Sequence, residues 1–250
     1  MIVYKSADEI DKMRRAGRIV AATIDAVLER VRSGTSTKAL DAVAEQVIRK
    51  EGATPSFLGY RGYPASLCAS INDQIVHGIP GERIIEEGDI VSLDFGAIWE
   101  GFHGDAAVSV VVGKAGSPEA EELVRVTEEA LNAGIAQIKA GGHLSDVSHA
   151  VQQVAEGAGF SVVREYVGHG IGRHLHEDPQ VPNFGSPGRG PTMREGLVIA
   201  VEPMVNAGGW ETVLMPDKWT VVTADGSLSA HFEHTIAITE DGPEILTARG

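Results

Sequence analysis

Four acidic residues lie in apolar runs where a charge is costly. Asp94 sits in Ile90-Val91-Ser92-Leu93-Asp94-Phe95 and Glu202 in Val198-Ile199-Ala200-Val201-Glu202-Pro203. Asp105 falls within His103-Gly104-Asp105-Ala106-Ala107-Val108, and Glu233 within His231-Phe232-Glu233-His234-Thr235-Ile236. Short apolar runs of this kind read as buried strands. An ionised carboxylate there must be paired, neutralised or bound to a cation. The runs contain no Lys or Arg. Any one of these acids read alone could equally be a buried hydrogen-bonding residue; the set of four points to metal.

Asp94 and Asp105 flank Trp99-Glu100-Gly101-Phe102. A two-residue hairpin loop at Glu100-Gly101 would set Trp99 against Phe102 and place both aspartates on one face of neighbouring strands. They would then be diagonal neighbours, roughly 7–8 Å apart, with oxygens able to meet on a cation. A fifth ligand candidate lies in the stretch Val167-Gly168-His169-Gly170-Ile171-Gly172-Arg173-His174-Leu175-His176-Glu177-Asp178-Pro179. The spacing of His169 and His176 is not that of a zinc helix. The glycines form no phosphate cradle either, since the Lys-Ser/Thr of a P-loop is missing. One imidazole with four carboxylates makes a hard, oxygen-rich set that suits Mn, Fe, Co or Zn, and its charge suits two divalent ions better than one. Two ions about 3.5–4 Å apart can activate a water for attack on a carbonyl.

The elements that must carry these residues repeat. Ser6-Ala7-Asp8-Glu9 has the form of a capping box, and Ile10, Met13, Gly17, Val20, Ile24, Val27 and Val31 recur at helical spacing, predicting a helix to about Val31. A second helix is predicted from near Ser36 to Gly52, with Leu40, Val43, Ala44 and Val47 on one face. Shifted by 107 positions the pattern returns: Gly34 meets Gly141, Leu40 meets Val147, Val47 meets Val154 and Gly52 meets Gly159. Ser117-Pro118-Glu119 opens the preceding helix of the second copy, predicted to run through Leu123, Val126 and Leu131 to Ile138. Asp94 and Glu202 are 108 positions apart, close to the helix offset, whereas Asp105 and Glu233 are 128 apart. The second half therefore carries an insertion of about twenty residues, placed between Asn206 and Ser229. The expected organisation is one catalytic domain over residues 1–250, with related halves at approximately 6–112 and 117–240. The halves share a sheet, helices cover one of its faces, and the acids converge on the other.

Composition narrows the function classes. A hydrophobic fraction of 43% with 22% charged residues suits a globular chain that buries a substantial core. The formal charge of −14 disfavours nonspecific binding to nucleic acid or to an anionic membrane. Cys68 is the single cysteine, so no intrachain disulfide forms, which suits a reducing compartment. The first residues show no apolar core of a secretory signal, and no run of 18 apolar residues occurs, so a cytoplasmic location is expected.

Taken together, Ser70-Ile71-Asn72-Asp73-Gln74-Ile75-Val76-His77-Gly78-Ile79-Pro80, Asp94 with Asp105, Gly168-His169-Gly170-Ile171-Gly172, Glu202-Pro203-Met204 and Phe232-Glu233-His234-Thr235 resemble type I (bacterial-type) methionine aminopeptidases over essentially the whole chain. The resemblance implies the α+β pita-bread fold, with pseudo-two-fold duplicated halves. It also implies excision of the N-terminal methionine from nascent proteins with a small second residue. On that family's pattern Asp105 and Glu233 would bridge two metals, Asp94 would complete one, and His169 with Glu202 the other. Glu202 would also shuttle the proton of the attacking water. His77 would contact the scissile amide, and His176 would stabilise the developing oxyanion. Tyr60, Tyr63, Cys68 and Trp219 match the family's methionine pocket; Leu175 stands where bacterial members carry phenylalanine, which implies a looser wall. Of the remaining histidines, His143 and His149 read as surface residues of the second helical repeat, and His103, His231 and His234 adjoin ligands.

The resemblance further implies partners, nascent N-termini beginning with Met, with transient ribosome association; a monomer is the default expectation. Two other readings compete. An X-Pro aminopeptidase of the same fold would usually add an N-terminal domain, whereas here the first helix starts at once. A non-catalytic binding module would be expected to lack acids or histidines that this sequence retains.

Overall fold

The hydroxyl of Ser6 accepts from the Glu9 amide while the Glu9 carboxylate accepts from the Ser6 amide, closing the first turn of α1 (Ala7–Leu28) as the capping box predicts. Ser36 caps α2 (Thr37–Lys50) and Ser117 caps α3 (Pro118–Ile135), where Pro118 fills the first turn. His143 precedes α4 (Leu144–Gly157), its amide donating to Asp146 at 3.0 Å. This computed structural model describes residues 1–114 and 116–250.

Two of the expected helices end a turn early. Beyond Leu28 and Ile135 the chain passes into tighter three-residue bonds, Arg30 N–H to Val27 O and Ile138 N–H to Ile135 O. The apolar residues past these ends still pack: Ile138 is 2% exposed and Val31 lies against the same core. The inward stripe of α2 is Leu40, Ala44 and Ile48, with Val43 and Val47 half-buried beside it. His143 and His149, expected on the surface, are half-buried. His149 Nδ1 lies 3.1 Å from the Gly185 carbonyl because the loop after residue 181 folds back over α4.

Every strand pairing among the described residues is antiparallel. Ile90–Trp99 pairs with Phe102–Val111 on one side and with Leu67–Ile71 and Thr54–Pro55 on the other. In the second half, Val198–Val201 lies between His234–Thr239 and Gly168–Gly170, with Gly242–Ile245 and Glu177–Val181 outermost. The shared sheet is subdivided rather than continuous. Its hydrogen bonds form four groups, and the two large ones meet at a single bridge between Ala107 and Glu233. The insertion between Asn206 and Ser229 is a hairpin, Thr212–Leu214 with Val221–Thr223, laid against Gln74–Val76.

The helices pack in the pairs the duplication predicts, α1 on α2 and α3 on α4, and α1 also lies on Ile90–Trp99 and Phe102–Val111. Glycine makes that approach possible. A β-carbon on Gly104 would meet the Gly17 amide nitrogen at 2.8 Å, and one on Gly17 would meet the Leu246 carbonyl oxygen at 2.2 Å.

Candidate metal centre

The hairpin between the two aspartates has the expected two-residue loop. Glu100 and Gly101 have φ of 47° and 81°, the left-handed pair that a tight hairpin needs, and Trp99 opposes Phe102. Asp94 therefore faces Ala107 while Asp105 faces Gly96, which makes the two acids diagonal neighbours on one face. Glu233 joins them from the other half. Its amide donates to the Ala107 carbonyl at 3.0 Å, and its carbonyl accepts from the Ala107 amide at 3.2 Å. Thr235 reinforces the junction: its hydroxyl accepts from the Asp105 amide at 3.0 Å and donates to the Asp105 carbonyl at 2.8 Å.

His169 and Glu202 complete the cluster. The Nδ1 of His169 sits 2.9 Å from the Gly170 carbonyl, which can only accept, so Nδ1 carries the proton and Nε2 presents a lone pair. That Nε2 lies 3.4 Å from Glu202 Oε1 and 4.0 Å from Asp105 Oδ2. Asn183 holds the Glu202 backbone by donating to its carbonyl at 2.9 Å. One ligand atom each from Asp105, His169 and Glu233 fall within 4.8 Å of one another, and all three residues are buried.

The donor set fits a divalent cation. Buried oxygens of Asp94, Asp105 and Glu233 have no hydrogen-bond partner, an expensive state for isolated carboxylates. Burial raises Asp94 to about 7. It raises Asp105, Glu202 and Glu233 well above the usual carboxylate range, and their mutual repulsion adds to this. Burial also pushes His169 down to about 3, with nearby His176 contributing, so the imidazole stays neutral and available as a ligand.

Above the acids opens a cavity of about 160 Å³, and every site residue singled out in the sequence lines it. Tyr63, Cys68 and Leu175 form an apolar wall, against which Trp219 packs edge-on to Tyr63 with ring centroids 5.0 Å apart. The Cys68 thiol is pushed up by burial and then by Asp94, so it is a small apolar wall residue rather than a nucleophile. His176 stacks on Tyr60 at 5.5 Å, and its Nδ1 lies 2.8 Å from the tyrosine hydroxyl. His77 holds φ of 60°, a costly conformation for a side-chain-bearing residue, with its ring edge-on to Tyr166 and Trp219. Burial lowers it to about 4.

Two lining residues, Phe57 and Arg61, escape a reading of the sequence alone. Both belong to the segment that supplies Tyr60 and Tyr63, and the close spacing of its aromatic residues is the signal that could have found Phe57. Of the histidines beside the ligands, His103 bonds to the Ser56 hydroxyl and His234 to that of Thr247, each at 2.9 Å. His231 is buried, with its Nε2 4.0 Å from Glu202 Oε2 and without a hydrogen-bond partner.

Residues 11–240 match the model of metallopeptidase family M24. The chain belongs to that family. Within M24 it is 54% identical over 247 residues to a methionine aminopeptidase of Clostridium perfringens, with 99% of each chain covered. A methionine aminopeptidase of Thermotoga maritima has the same fold at a TM-score of 0.97 and 48% identity, covering 100% of both chains. An X-Pro aminopeptidase of the same organism shares the fold alone, with a TM-score of 0.76 and 24% identity; the match covers 99% of this chain and 63% of that one. The M24 architecture is the pita-bread arrangement expected above, and its metallopeptidase chemistry agrees with the buried Asp105, His169 and Glu233 group.

Proposed function

We propose that this chain removes the N-terminal methionine from proteins and peptides whose second residue is small, using two divalent metal ions held by Asp94, Asp105, His169, Glu202 and Glu233. One observation carries the reading. Acids and an imidazole from both halves converge on the floor of the cavity whose wall offers an apolar surface for a thioether side chain. Near-full-length identity of 54% to a methionine aminopeptidase supports the same substrate class.

When bound, the metal ions would supply Lewis acidity, lowering the pKa of a water and polarising the scissile carbonyl. The remaining work belongs to the chain. Tyr63, Cys68, Leu175 and Trp219 receive the methionine side chain and fix its first peptide bond over the acids. The Tyr60 hydroxyl, donating to His176 Nδ1, leaves Nε2–H free to donate to the carbonyl oxygen as negative charge develops there. His77 contacts the scissile amide. Glu202 accepts the proton of the attacking water and returns it to the departing amine.

The substrates are nascent polypeptides met in the cytoplasm by a monomeric, single-domain enzyme in transient contact with ribosomes. Among the described residues no helix is long and apolar enough to cross a membrane.

The test is release of methionine from Met-Ala-Ser by metal-stripped protein, with and without Mn, Fe or Co, beside Ala-Pro-Ala. Metal-dependent cleavage of the first peptide alone is expected. Cleavage of the proline peptide instead would transfer the chain to the X-Pro branch of M24.

A further inference from the structure

Fourteen side chains line the cavity, and among them Arg61 is the sole Lys or Arg. It is exposed, so it stands at the mouth, while the acids occupy the floor. Among the described residues some arginines are matched to carboxylates, such as Arg14 to Glu244, Arg125 to Glu122, Arg173 to Glu9 and Arg249 to Asp25, whereas others, such as Arg18 and Arg83, are not. Arg61 has no ion-pair partner among the described residues. Its guanidinium instead lies over the Tyr60 ring, 5.3 Å from the centroid.

The backbone holds it there. Arg61 has φ of 49° between Gly59 at 84° and Gly62 at 90°, so a side-chain-bearing residue sits in a left-handed conformation that favours glycine. The turn is tied across by Gly59 N–H to the Tyr63 carbonyl at 2.8 Å and by Tyr63 N–H to the Tyr60 carbonyl at 2.9 Å. Tyr60, the ring beneath the guanidinium, is bonded to His176. An unneutralised cation is thus fixed on a short turn beside the route by which a polypeptide must leave the cavity. A strained residue at the edge of a site is where selection by side-chain chemistry is expected.

We infer that Arg61 is a specificity-determining residue that favours substrates with an acidic side chain at the third or fourth position. This rests on the aminopeptidase reading above, which places methionine in the depth of the cavity and the following residues toward its mouth. The preference is local. The net charge of −14 repels acidic peptides at long range, so Arg61 acts against the field of the rest of the molecule.

The experiment compares kcat/KM for four C-terminally amidated peptides, Met-Ala-Asp-Gly, Met-Ala-Lys-Gly, Met-Ala-Gly-Asp and Met-Ala-Gly-Lys, at low ionic strength. The acid-to-base ratio at one or both positions should fall about threefold in Arg61→Gln and about tenfold in Arg61→Glu, with Arg61→Lys near the parent. Each ratio is internal to one preparation, so partial misfolding of a variant cancels. As a check needing no variant, the parent ratio should shrink at about 0.5 M salt, where the Debye length is only a few Å. Ratios unchanged between the parent and Arg61→Glu at both positions, with all four peptides cleaved, would overturn this inference and leave the aminopeptidase reading intact. Failure of the metal-loaded parent to cleave any of the four would overturn both.

Discussion

At the scale of single residues, the four acids pose an electrostatic problem that folding alone does not solve. Without metal their raised pKa values, caused first by burial, mean that the native state keeps protons that the unfolded chain releases, so stability falls as pH rises. Buried His77, His103, His169 and His231 oppose this below about pH 6.5, because they stay neutral where the unfolded chain would take up protons. Above that pH the acids act alone, with Asp94 titrating near 7. The melting temperature of chelator-treated protein should therefore drop between about pH 6.5 and 8.5, and a saturating divalent ion should remove most of the slope. A flat profile in the chelator would show that the acids are not desolvated together. Their sequence signature was strong because the flanking runs offered no counter-charge, so metal was the economical solution for the whole set. Arg61 carried no such signature. A lone arginine in a turn looks like any solvated surface residue until the fold brings Tyr60, Tyr63 and the distant His176 around it.

At the scale of elements, the caps and apolar stripes were legible because they depend on neighbours three or four residues away. The early ends of α1 and α3 were not, since Val31 and Ile138 continue the apolar spacing after the backbone has left the helix. Register within the Asp94–Asp105 hairpin could be read from its two-residue loop, whereas the strands of only two or three residues, such as Ser161–Val162, are defined by their partners. A contact invisible in the sequence lies where α1 crosses the strand carrying Asp105 at Gly17 and Gly104. Gly104→Ala places a methyl 2.8 Å from the Gly17 amide nitrogen, and the helix or the strand must yield. A loss of about 1–3 kcal/mol in urea unfolding is expected. Weaker metal binding in calorimetry should accompany it, because Asp105 is the next residue on the displaced strand. Full stability in this variant would mean that the helix–strand contact is looser than the structure shows.

At the scale of the whole molecule, the two ends of the chemistry are tied by a contact distant in sequence. Lys5, from the segment before α1, reaches Glu177 of the second half at 2.7 Å, with the two side chains 2% and 8% exposed. The ammonium also donates to the Val3 carbonyl at 2.9 Å, and the other Glu177 oxygen accepts from the His174 amide at 3.0 Å. Glu177 follows His176, so this ion pair anchors the turn that carries the histidine proposed to meet the substrate carbonyl. A buried pair is weak evidence for net stability, but removal of one partner strands the other charge in a poor solvent. Lys5→Met should therefore cost about 3–5 kcal/mol in chemical denaturation. Adding Glu177→Gln, which leaves no charge to strand, should return a large part of that loss. The double variant, measured where both proteins are folded, should still turn over more slowly than the parent, since neither new side chain restores the anchor beside His176. A single Lys5→Met variant destabilised by less than about 1 kcal/mol would place the pair in the exposed class, where such contacts contribute little. The His176 turn would then have to be held by the Tyr60 bond and by the backbone ties of its own segment, such as Gly172 N–H to the His174 carbonyl at 3.1 Å.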